Sequence, residues 1–299
     1  MRLVLPIPCY SRRLLILYSY FRAGLYKSPN PKILGQECGG IIAQLPFGDN
    51  VHGLKLGQRV VALCSNQGGY AEYVATKASK VYVVPDEVPL DIASAGLLQG
   101  LTALTMIRES YHVKAGEYIL VHAAAGGVGL WLCNLLKAVG AKVIATASTS
   151  EKLQLAKENG AEFLINYSKE NFVEKVKEIT NGEGAKAIFD GVGAKTFDDD
   201  LEAVARKGYV VSFGNASGLV PPFSIAKLGG KNIAVLRPRL FGYIETYEEY
   251  KTYCDELFTF IKNGKVKVKI HGEYPIEEFA RAHNDIEGRV TTGKLLLKF

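Results

Sequence analysis

The sequence predicts an α/β protein in which a β-rich region comes first and a parallel sheet wound with helices follows. From Gly116 to about Gly264, short apolar strands alternate with helices, which is the pattern of a doubly wound parallel sheet with right-handed crossovers. Before residue 97, the apolar runs are short, rich in β-branched or aromatic residues, and bounded by glycine or proline, as in β-strands. A last apolar run at the C-terminus indicates that the tail rejoins the first region.

The elements follow from these runs in chain order. In the first region we predict strands at 55–63, 70–74 and 81–85. In the middle region we predict strands at 118–122, 142–147, 163–167, 185–190 and 209–213, and helices at 130–139, 151–158, 172–179, 197–205 and 246–263. In the tail we predict a strand at 267–270, a helix at 276–287 and a strand at 295–299. The chain thus divides into a first domain, 1–97 with 265–299 returning to it, and a second domain, 98–264.

Composition and charge exclude several classes of protein. The chain has 299 residues, 48% of them hydrophobic and 22% charged, which is average for globular proteins and excludes a disordered, collagen-like or coiled-coil chain. The net charge of +6 belongs to residues 1–36, which hold six basic residues and no acidic one. The rest of the chain is neutral, so bulk charge gives no argument for nucleic-acid binding, although the basic first segment leaves weak RNA binding open.

Cysteines and apolar runs bear on the compartment. Five cysteines are scattered without a C-x-x-C pair, which indicates reduced thiols rather than a disulfide framework: Cys9, Cys38, Cys64, Cys133 and Cys254. We predict no membrane span, because no apolar run approaches the ~18–20 residues that one needs. The first residues weakly resemble a mitochondrial presequence, but Pro6 and Pro8 interrupt an early helix. We expect a cytoplasmic protein, with mitochondria as the open alternative.

A glycine-rich turn follows the first strand of the middle region. The segment Ala124-Ala125-Gly126-Gly127-Val128-Gly129 is G-x-G-x-x-G with alanine in the first glycine position. Small residues let backbone N–H groups approach a pyrophosphate, and the N-terminus of the next helix adds partial positive charge. In this strand–turn–helix context the segment predicts a dinucleotide site. A purely structural turn is the alternative.

The end of the next strand bears on which dinucleotide binds. NAD-specific sites usually carry an acidic residue there for the ribose 2′-hydroxyl, whereas this strand ends at Ala147 and continues as Ser148-Thr149-Ser150-Glu151-Lys152. Hydroxyl groups and an ammonium group suit a 2′-phosphate, so the sequence favours NADPH over NADH. In the alternative interpretation, Ser150 caps the following helix and Lys152 is solvated.

Longer motifs carry a resemblance to a known family. They are YFRAGLY (20–26), GQECGG (35–40), GQRVVAL (57–63), GLLQGLTAL (96–104), HAAAGGVGL (122–130), GAEFLINY (160–167), FDGVG (189–193), VVSFGNASG (210–218), RPRLFGYI (237–244) and GRVTTGKLLL (288–297). In this order and spacing the chain resembles the zeta-crystallin-like quinone oxidoreductases of the medium-chain dehydrogenase/reductase superfamily. The resemblance implies a GroES-like β-barrel domain, a Rossmann domain, NADPH in the cleft between them, and a homodimer or homotetramer.

The resemblance also implies site residues. Gly126, Gly127, Val128 and Gly129 would lie along the pyrophosphate; Ser148, Lys152 and Tyr167 would surround the 2′-phosphate. Thr102, Phe213, Gly214, Asn215 and Ala216 would face the nicotinamide ribose and carboxamide, Leu240, Phe241 and Gly242 would close over the nicotinamide, Arg289 would reach the cofactor from the tail, and Tyr20 would sit beside the quinone. Structural alternatives remain: Tyr167 as a strand-end aromatic residue, Thr102 as a helix cap, and Leu240 and Phe241 as core residues.

Metal ligands of the zinc-dependent relatives are not present in their expected pattern. Where those relatives have G-H-E, this chain has Gly35-Gln36-Glu37, and its five histidines are dispersed; among them we interpret His122 as a packed residue rather than a base. We therefore predict metal-free hydride transfer from NADPH to a quinone, with solvent or Tyr20 supplying the proton. The alternatives are an enone or alkenal double-bond reductase and a non-catalytic, RNA-binding, crystallin-like protein.

The first segment departs from the family pattern. Residues 1–19 do not resemble the family's initial strands, and Leu15 and Tyr18 stand where the family has an Asn and an Asp. We therefore expect the GroES-like domain to lack its N-terminal strands and to expose unpaired strand edges.

Overall fold

The structure is a computed structural model that describes residues 33–45, 52–64, 68–288 and 291–298, and the backbone of 7–14. Its strands are β1 (Ile7–Leu14), β2 (Glu37–Ile41), β3 (Arg59–Leu63), β4 (Tyr73–Val74), β5 (Val81–Val83), β6 (Tyr118–Val121), β7 (Lys142–Ala147), β8 (Phe163–Asn166), β9 (Ala185–Asp190), β10 (Val204–Ser212), β11 (Ala234–Leu236), β12 (Ile270–Pro275) and β13 (Lys294–Lys298). Its α-helices are α1 (Leu90–Thr105), α2 (Gly127–Val139), α3 (Ser150–Glu158), α4 (Phe172–Ile179), α5 (Phe197–Ala203), α6 (Leu240–Tyr243), α7 (Tyr247–Lys262) and α8 (Phe279–Glu287).

The chain forms two compact units. The first takes in the chain up to Leu101 together with Ile244–Gly264 and the tail from Val268, and the second takes in Thr102–Tyr243 with Lys265–Lys267. The sequence division placed the helix at 246–263 in the second domain, whereas the structure groups α7 with the first unit. The reason is its packing: Phe258 stacks on Tyr82 of β5 at 5.0 Å between ring centroids, and the Tyr82 hydroxyl donates to Asp255 at 2.8 Å.

The first unit is built on one largely antiparallel sheet. Its strand order is β12-β13-β1-β2-β3-β5, and β4 pairs with β1. β1 lies within the segment that departs from the family, yet it pairs antiparallel with β13 on one side and with β2 on the other. The prediction that this segment leaves strand edges unpaired is therefore wrong for β2 and β13. Two apolar clusters support the sheet, one around Val60 and Cys38 and one around Leu295 and Tyr274.

The second unit contains a six-stranded parallel sheet in the order β11-β10-β9-β6-β7-β8. The chain runs outward from β6 to β8, returns to β9 beside β6, and runs outward again to β11. This is the doubly wound arrangement that the alternating strands and helices predicted. An apolar cluster that includes Leu120, Ile188, Val210 and Phe172 packs under the helices.

The sequence predicts no element at α1, because it places the boundary between the two domains within this stretch. It continues into a wider turn at Met106–Ser110, and the 21 residues from Leu90 to Ser110 are long and apolar enough to cross a membrane by length and composition. Most of this stretch is buried inside the protein, as in the core helix of a globular domain.

Several boundaries also differ from the prediction, and strand pairing accounts for two of them. The helix predicted at 197–205 ends at Ala203, since Val204 adopts extended backbone opposite Ala185 of β9. The tail strand predicted at 267–270 lies at Ile270–Pro275 instead, where it pairs in parallel with β13.

Candidate functional site

The carboxyl ends of the parallel strands bring several predicted site residues to one edge of the sheet. The glycine-rich turn follows β6, Ser148 follows β7, Tyr167 follows β8, and the Phe213–Ala216 segment follows β10. β6 and β9 are neighbours, and the chain leaves them in opposite directions. In open α/β sheets such a reversal point, at the carboxyl ends of the strands, is where ligands bind. The glycine-rich turn lies at this point.

The glycine-rich turn is tightly fixed by its backbone. Ala123 adopts a left-handed conformation, with φ of 49°, and its carbonyl accepts the Gly126 N–H at 2.8 Å. A Cβ on Gly129 would lie 2.4 Å from that same carbonyl oxygen, so only glycine fits where α2 crosses the turn. Gly126 is the N-cap of α2, and no side chain at this position accepts a hydrogen bond from the first turn of the helix. The backbone N–H groups of that turn therefore suit an anionic ligand.

The ends of β7 and β8 lie side by side. The Tyr167 N–H donates to the Ala147 carbonyl at 3.2 Å, and the Ser168 hydroxyl donates to the Ser148 carbonyl at 3.2 Å. Tyr167 is 49% exposed, which does not suit a packed strand-end residue. No acidic side chain ends β7, since its last residue is Ala147.

The cap of α3 is Thr149, not Ser150. The Thr149 hydroxyl oxygen accepts the Lys152 N–H at 3.3 Å, and Ser150 is the first helical residue. The interpretation in which Ser150 caps the helix is therefore wrong. The Lys152 side chain is half-buried, and Lys152 lies in the first turn of α3, the helix that follows β7.

The loops after β9 and β10 are joined through Asp190. Its buried carboxylate accepts the Val192 N–H at 2.7 Å and the Thr196 hydroxyl at 3.0 Å. Its carbonyl accepts the Phe213 N–H at 2.8 Å. A Cβ on Gly214 would lie 2.4 Å from the Gly191 carbonyl oxygen, so the two loops are in close backbone contact. The predicted nicotinamide-facing segment is therefore held by its neighbours rather than loose.

Arg237 reaches this segment from the end of β11. Its Nη1 atom donates to the Ser212 carbonyl at 2.8 Å and to the Gly214 carbonyl at 3.1 Å. Three residues further along the chain, α6 carries Leu240, Phe241 and Gly242, none of which is buried. The interpretation of Leu240 and Phe241 as core residues is therefore not supported in this unit.

Thr102 does not stand at the end of a strand of this sheet. Thr102 lies inside α1, half-buried, so it is not a helix cap. Tyr20 and Arg289 lie outside the described residues, as do Leu15 and Tyr18.

A buried polar triad lies directly under the glycine-rich turn. His122, which follows β6 and stands two residues before the turn, has Nδ1 2.8 Å from the Thr146 hydroxyl of β7 and Nε2 2.8 Å from the Asp200 carboxylate of α5. Burial lowers the pKa of His122, but Asp200 outweighs this and the pKa is raised; burial raises the pKa of Asp200 to about 6. Both ring nitrogens are engaged and the ring is buried, which agrees with His122 as a packed residue rather than a base.

The Gly35-Gln36-Glu37 segment contains a buried ion pair. Glu37 Oε1 lies 2.5 Å from Lys294 Nζ, both side chains being 1% exposed, and Glu37 Oε2 accepts the Leu98 N–H at 2.8 Å. Among the described residues, no group of three or more His, Cys, Asp and Glu side chains lies close enough to hold a metal ion. The Glu37 carboxylate therefore serves an ion pair within its own unit.

Sequence reasoning missed the residues that hold the loops. An aspartate at the end of a strand before Gly-x-Gly is a local signal that could have identified Asp190. No local signal points to Arg237 or to the pairing of His122 with Asp200, because their partners lie far along the chain.

The residues at the sheet edge fit a phosphorylated dinucleotide. The tightly packed, uncapped turn at Gly126–Gly129 suits a pyrophosphate, and the absence of an acidic residue at the end of β7, together with Ser148 and Lys152, suits a 2′-phosphate. This fit rests on the backbone of the turn and on the chemistry of the donors.

Comparisons with known proteins agree with this site and fold. The family model described as "Alcohol dehydrogenase GroES-like domain" matches residues 16–86, and the one described as "Zinc-binding dehydrogenase" matches residues 127–258. Together they cover a large part of both units.

Comparisons with individual relatives identify the family within this superfamily. A probable quinone oxidoreductase of Schizosaccharomyces pombe is 44% identical over 280 residues, which are 93% of this chain and 84% of that protein. The crystal structure of Escherichia coli quinone oxidoreductase complexed with NADPH matches with a TM-score of 0.95 and 38% identity, over 99% of this chain and 91% of that chain. A 2-haloacrylate reductase of a Burkholderia species is 32% identical over 292 residues, 94% of this chain and 86% of that protein. The chain therefore belongs to the zeta-crystallin-like quinone oxidoreductases of the medium-chain dehydrogenase/reductase superfamily, as its motifs predicted.

Proposed function

We propose that this enzyme reduces quinones with NADPH and without a metal ion. The observation that carries the proposal is the uncapped glycine-rich turn at the reversal point of the sheet, beside a strand end with hydroxyl groups and Lys152 in place of an acid. Family membership and the NADPH complex of the Escherichia coli relative support the same assignment.

The roles of the individual residues are part of this proposal. Gly126, Gly127, Val128 and Gly129 bind the pyrophosphate, and Ser148, Lys152 and Tyr167 bind the 2′-phosphate. Thr102, Phe213, Gly214, Asn215, Ala216, Leu240, Phe241, Gly242 and Arg289 surround the nicotinamide end.

The proposed reaction requires little acid–base catalysis by the protein. Bound NADPH supplies a hydride, and the chain's task is to orient the acceptor and to exclude water. A quinone is already electron-poor and its reduced oxygens are delocalised, so a Lewis acid is not needed. The family's zinc-binding histidine position holds Gln36, and the adjoining Glu37 carboxylate is engaged by Lys294. The proton comes from solvent or from Tyr20.

Reduction of an activated carbon–carbon double bond is the second candidate. The similarity to a 2-haloacrylate reductase favours it, because that relative aligns along nearly the whole chain. The fold and the cofactor serve both reactions, and only the acceptor differs.

The test is NADPH oxidation at 340 nm with phenanthrenequinone, run beside NADH and beside 2-chloroacrylate and a 2-enone. We expect quinone-dependent turnover that favours NADPH by at least roughly tenfold in kcat/KM, since the ammonium group of Lys152 and the neighbouring hydroxyl groups would gain charge-assisted hydrogen bonds only from the cofactor that carries the 2′-phosphate. Faster turnover of the double-bond acceptors would select the second candidate, and equal use of NADH would overturn the cofactor assignment. A pH–rate profile unchanged in Tyr20→Phe would leave solvent as the proton source.

We further propose a homodimer or homotetramer that forms at the edge of the parallel sheet. In the part that the structure describes, β11 ends the strand order and pairs with β10 alone. The segment before it exposes Leu219 by 55% and Ile225 by 80%. A sheet edge of this kind, in a unit that also exposes apolar side chains, favours pairing with a second copy.

We also propose that the enzyme acts in the cytoplasm. The four cysteines whose side chains the structure describes are buried free thiols, which suits a reducing compartment. Activity confined to an organelle fraction after cell fractionation would contradict this.

A further inference from the structure

We propose that Arg237 is a positioning residue for the nicotinamide end of the cofactor, acting through the Gly214 carbonyl. This inference rests on the proposed function. It assigns a role to a residue outside the set of expected cofactor contacts.

One guanidinium nitrogen of Arg237 donates three hydrogen bonds. Nη1 of Arg237 donates to the carbonyl of Ser212 at 2.8 Å, to its hydroxyl oxygen at 3.4 Å and to the carbonyl of Gly214 at 3.1 Å. Ser212 is the last residue of β10, and Gly214 lies in the loop that follows. One side chain thus joins the end of a strand to the loop beyond it.

The Gly214 peptide transmits this contact. A peptide unit is planar and trans, so fixing the direction of the Gly214 carbonyl also fixes the Asn215 N–H, which points the opposite way. The backbone of the loop lies close to its neighbour here, since a Cβ on Gly214 would lie 2.4 Å from the Gly191 carbonyl oxygen. The Ala216 N–H is held as well, by the Gly191 carbonyl at 3.2 Å.

The other side of the loop is fixed without Arg237. Asp190 holds the Phe213 N–H through its carbonyl, and the Ser217 N–H donates to the Val192 carbonyl at 2.8 Å. Removing the guanidinium therefore leaves the loop attached at both ends and takes away the hydrogen bond that Arg237 donates to the Gly214 carbonyl. Because that carbonyl belongs to the segment expected to face the nicotinamide carboxamide, a change in its direction should misalign that ring without disturbing the phosphates.

A fragment of the cofactor separates these effects. 2′-Phospho-ADP-ribose contains the adenosine, the 2′-phosphate and the pyrophosphate but has no nicotinamide. We would measure the Kd of NADPH and of this fragment, by calorimetry on the full chain, for wild type, Arg237→Met and Arg237→Lys. The matched control is Lys231→Met, since Lys231 also donates to backbone carbonyls in this unit, those of Leu201 and Glu202 at the end of α5.

We expect Arg237→Met to weaken NADPH roughly tenfold, the usual effect of losing hydrogen bonds from a charged group, and to leave the fragment within about twofold of wild type. Arg237→Lys should recover part of the loss, and single-turnover hydride transfer to phenanthrenequinone should slow in step. Lys231→Met should keep the wild-type ratio of the two affinities.

The outcomes are separable. Loss of both affinities in Arg237→Met, or of neither, would overturn the positioning role; a retained fragment affinity shows that the variant is folded. Wild type that binds neither ligand would instead overturn the proposed function.

Discussion

Gly129 has no substitute in the described structure, because the carbonyl oxygen of Ala123 occupies the place of a side chain. We expect Gly129→Ala to destabilise the second unit by about 1–3 kcal/mol, since a Cβ 2.4 Å from a backbone oxygen cannot be accommodated by rotating a side chain. NADPH affinity should fall at the same time, because the turn must open to admit the methyl group.

Trp131 offers a probe for this prediction. It is the one tryptophan of the chain and lies buried in α2, so its fluorescence reports urea unfolding of the second unit. Gly230→Ala is the control, because a Cβ there meets nothing within 4 Å. Equal unfolding midpoints for the two variants would show that the turn is looser than described.

At the scale of single residues, some features could be predicted from the sequence and others could not. The glycine-rich turn could be predicted, because its spacing after a strand is a local signal. Arg237 could not, since its acceptors lie 23 and 25 residues away and come within reach only when β10 and β11 pair. The identity of the α3 cap could not be decided either, because Ser150 is the better capping residue by type although Thr149 caps the helix.

The buried triad links three elements of the second unit. His122 follows β6, and its ring hydrogen-bonds to Thr146 of β7 and to Asp200 of α5. Asp190 and Asp199 raise the pKa values of both His122 and Asp200 further. Both folded-state pKa values lie above the unfolded ones, so the folded protein holds protons that the unfolded chain releases. Their stabilising effect is present below the unfolded pKa and is lost as the pH rises through the folded pKa.

We therefore expect the triad to make the second unit less stable as the pH rises. For Asp200 the change lies between pH 3.8 and about 6, and for His122 it lies above 6.5. Between pH 4 and pH 8, wild type should lose more stability than the double variant His122→Gln/Asp200→Asn, as followed by Trp131 fluorescence in urea.

Asp198→Asn is the control for this comparison, because it removes an exposed acid from the same helix and should keep the wild-type pH dependence. The same pH dependence in the double variant as in wild type would show that the triad does not titrate in this range.

The elements also show what periodicity leaves open. The pattern at 246–263 predicted a helix almost residue for residue, and its capping box of Thr246 and Glu249 agrees with that boundary. Periodicity did not say which unit its apolar face packs on. Contacts such as that of Phe258 with Tyr82, which are remote in sequence, decide this.

Association of whole chains is expected to depend on the edge at β11. The double variant Leu219→Asp/Ile225→Asp places charges on the exposed apolar segment that precedes β11, and we expect it to shift the mass toward the monomer in sedimentation or light-scattering measurements. Wild type at the same concentration should be a dimer or tetramer.

Leu56→Asp is the matched control, since Leu56 is 62% exposed in the first unit and should not affect the mass. A monomeric wild type, or a double variant that keeps its assembly, would contradict pairing at this edge.

The ion pair of Glu37 and Lys294 joins residues 257 positions apart. A buried charge without its partner is strongly unfavourable. We therefore expect the first unit to complete its folding only after β13, the strand that carries Lys294, has been synthesised. During translation, Glu37 is made 257 residues before its partner Lys294. The folding of the second unit does not depend on so distant a segment, because almost all of this unit is one continuous stretch from Thr102 to Tyr243. On the ribosome, the unit that is proposed to hold NADPH is therefore completed before the one that precedes it in sequence.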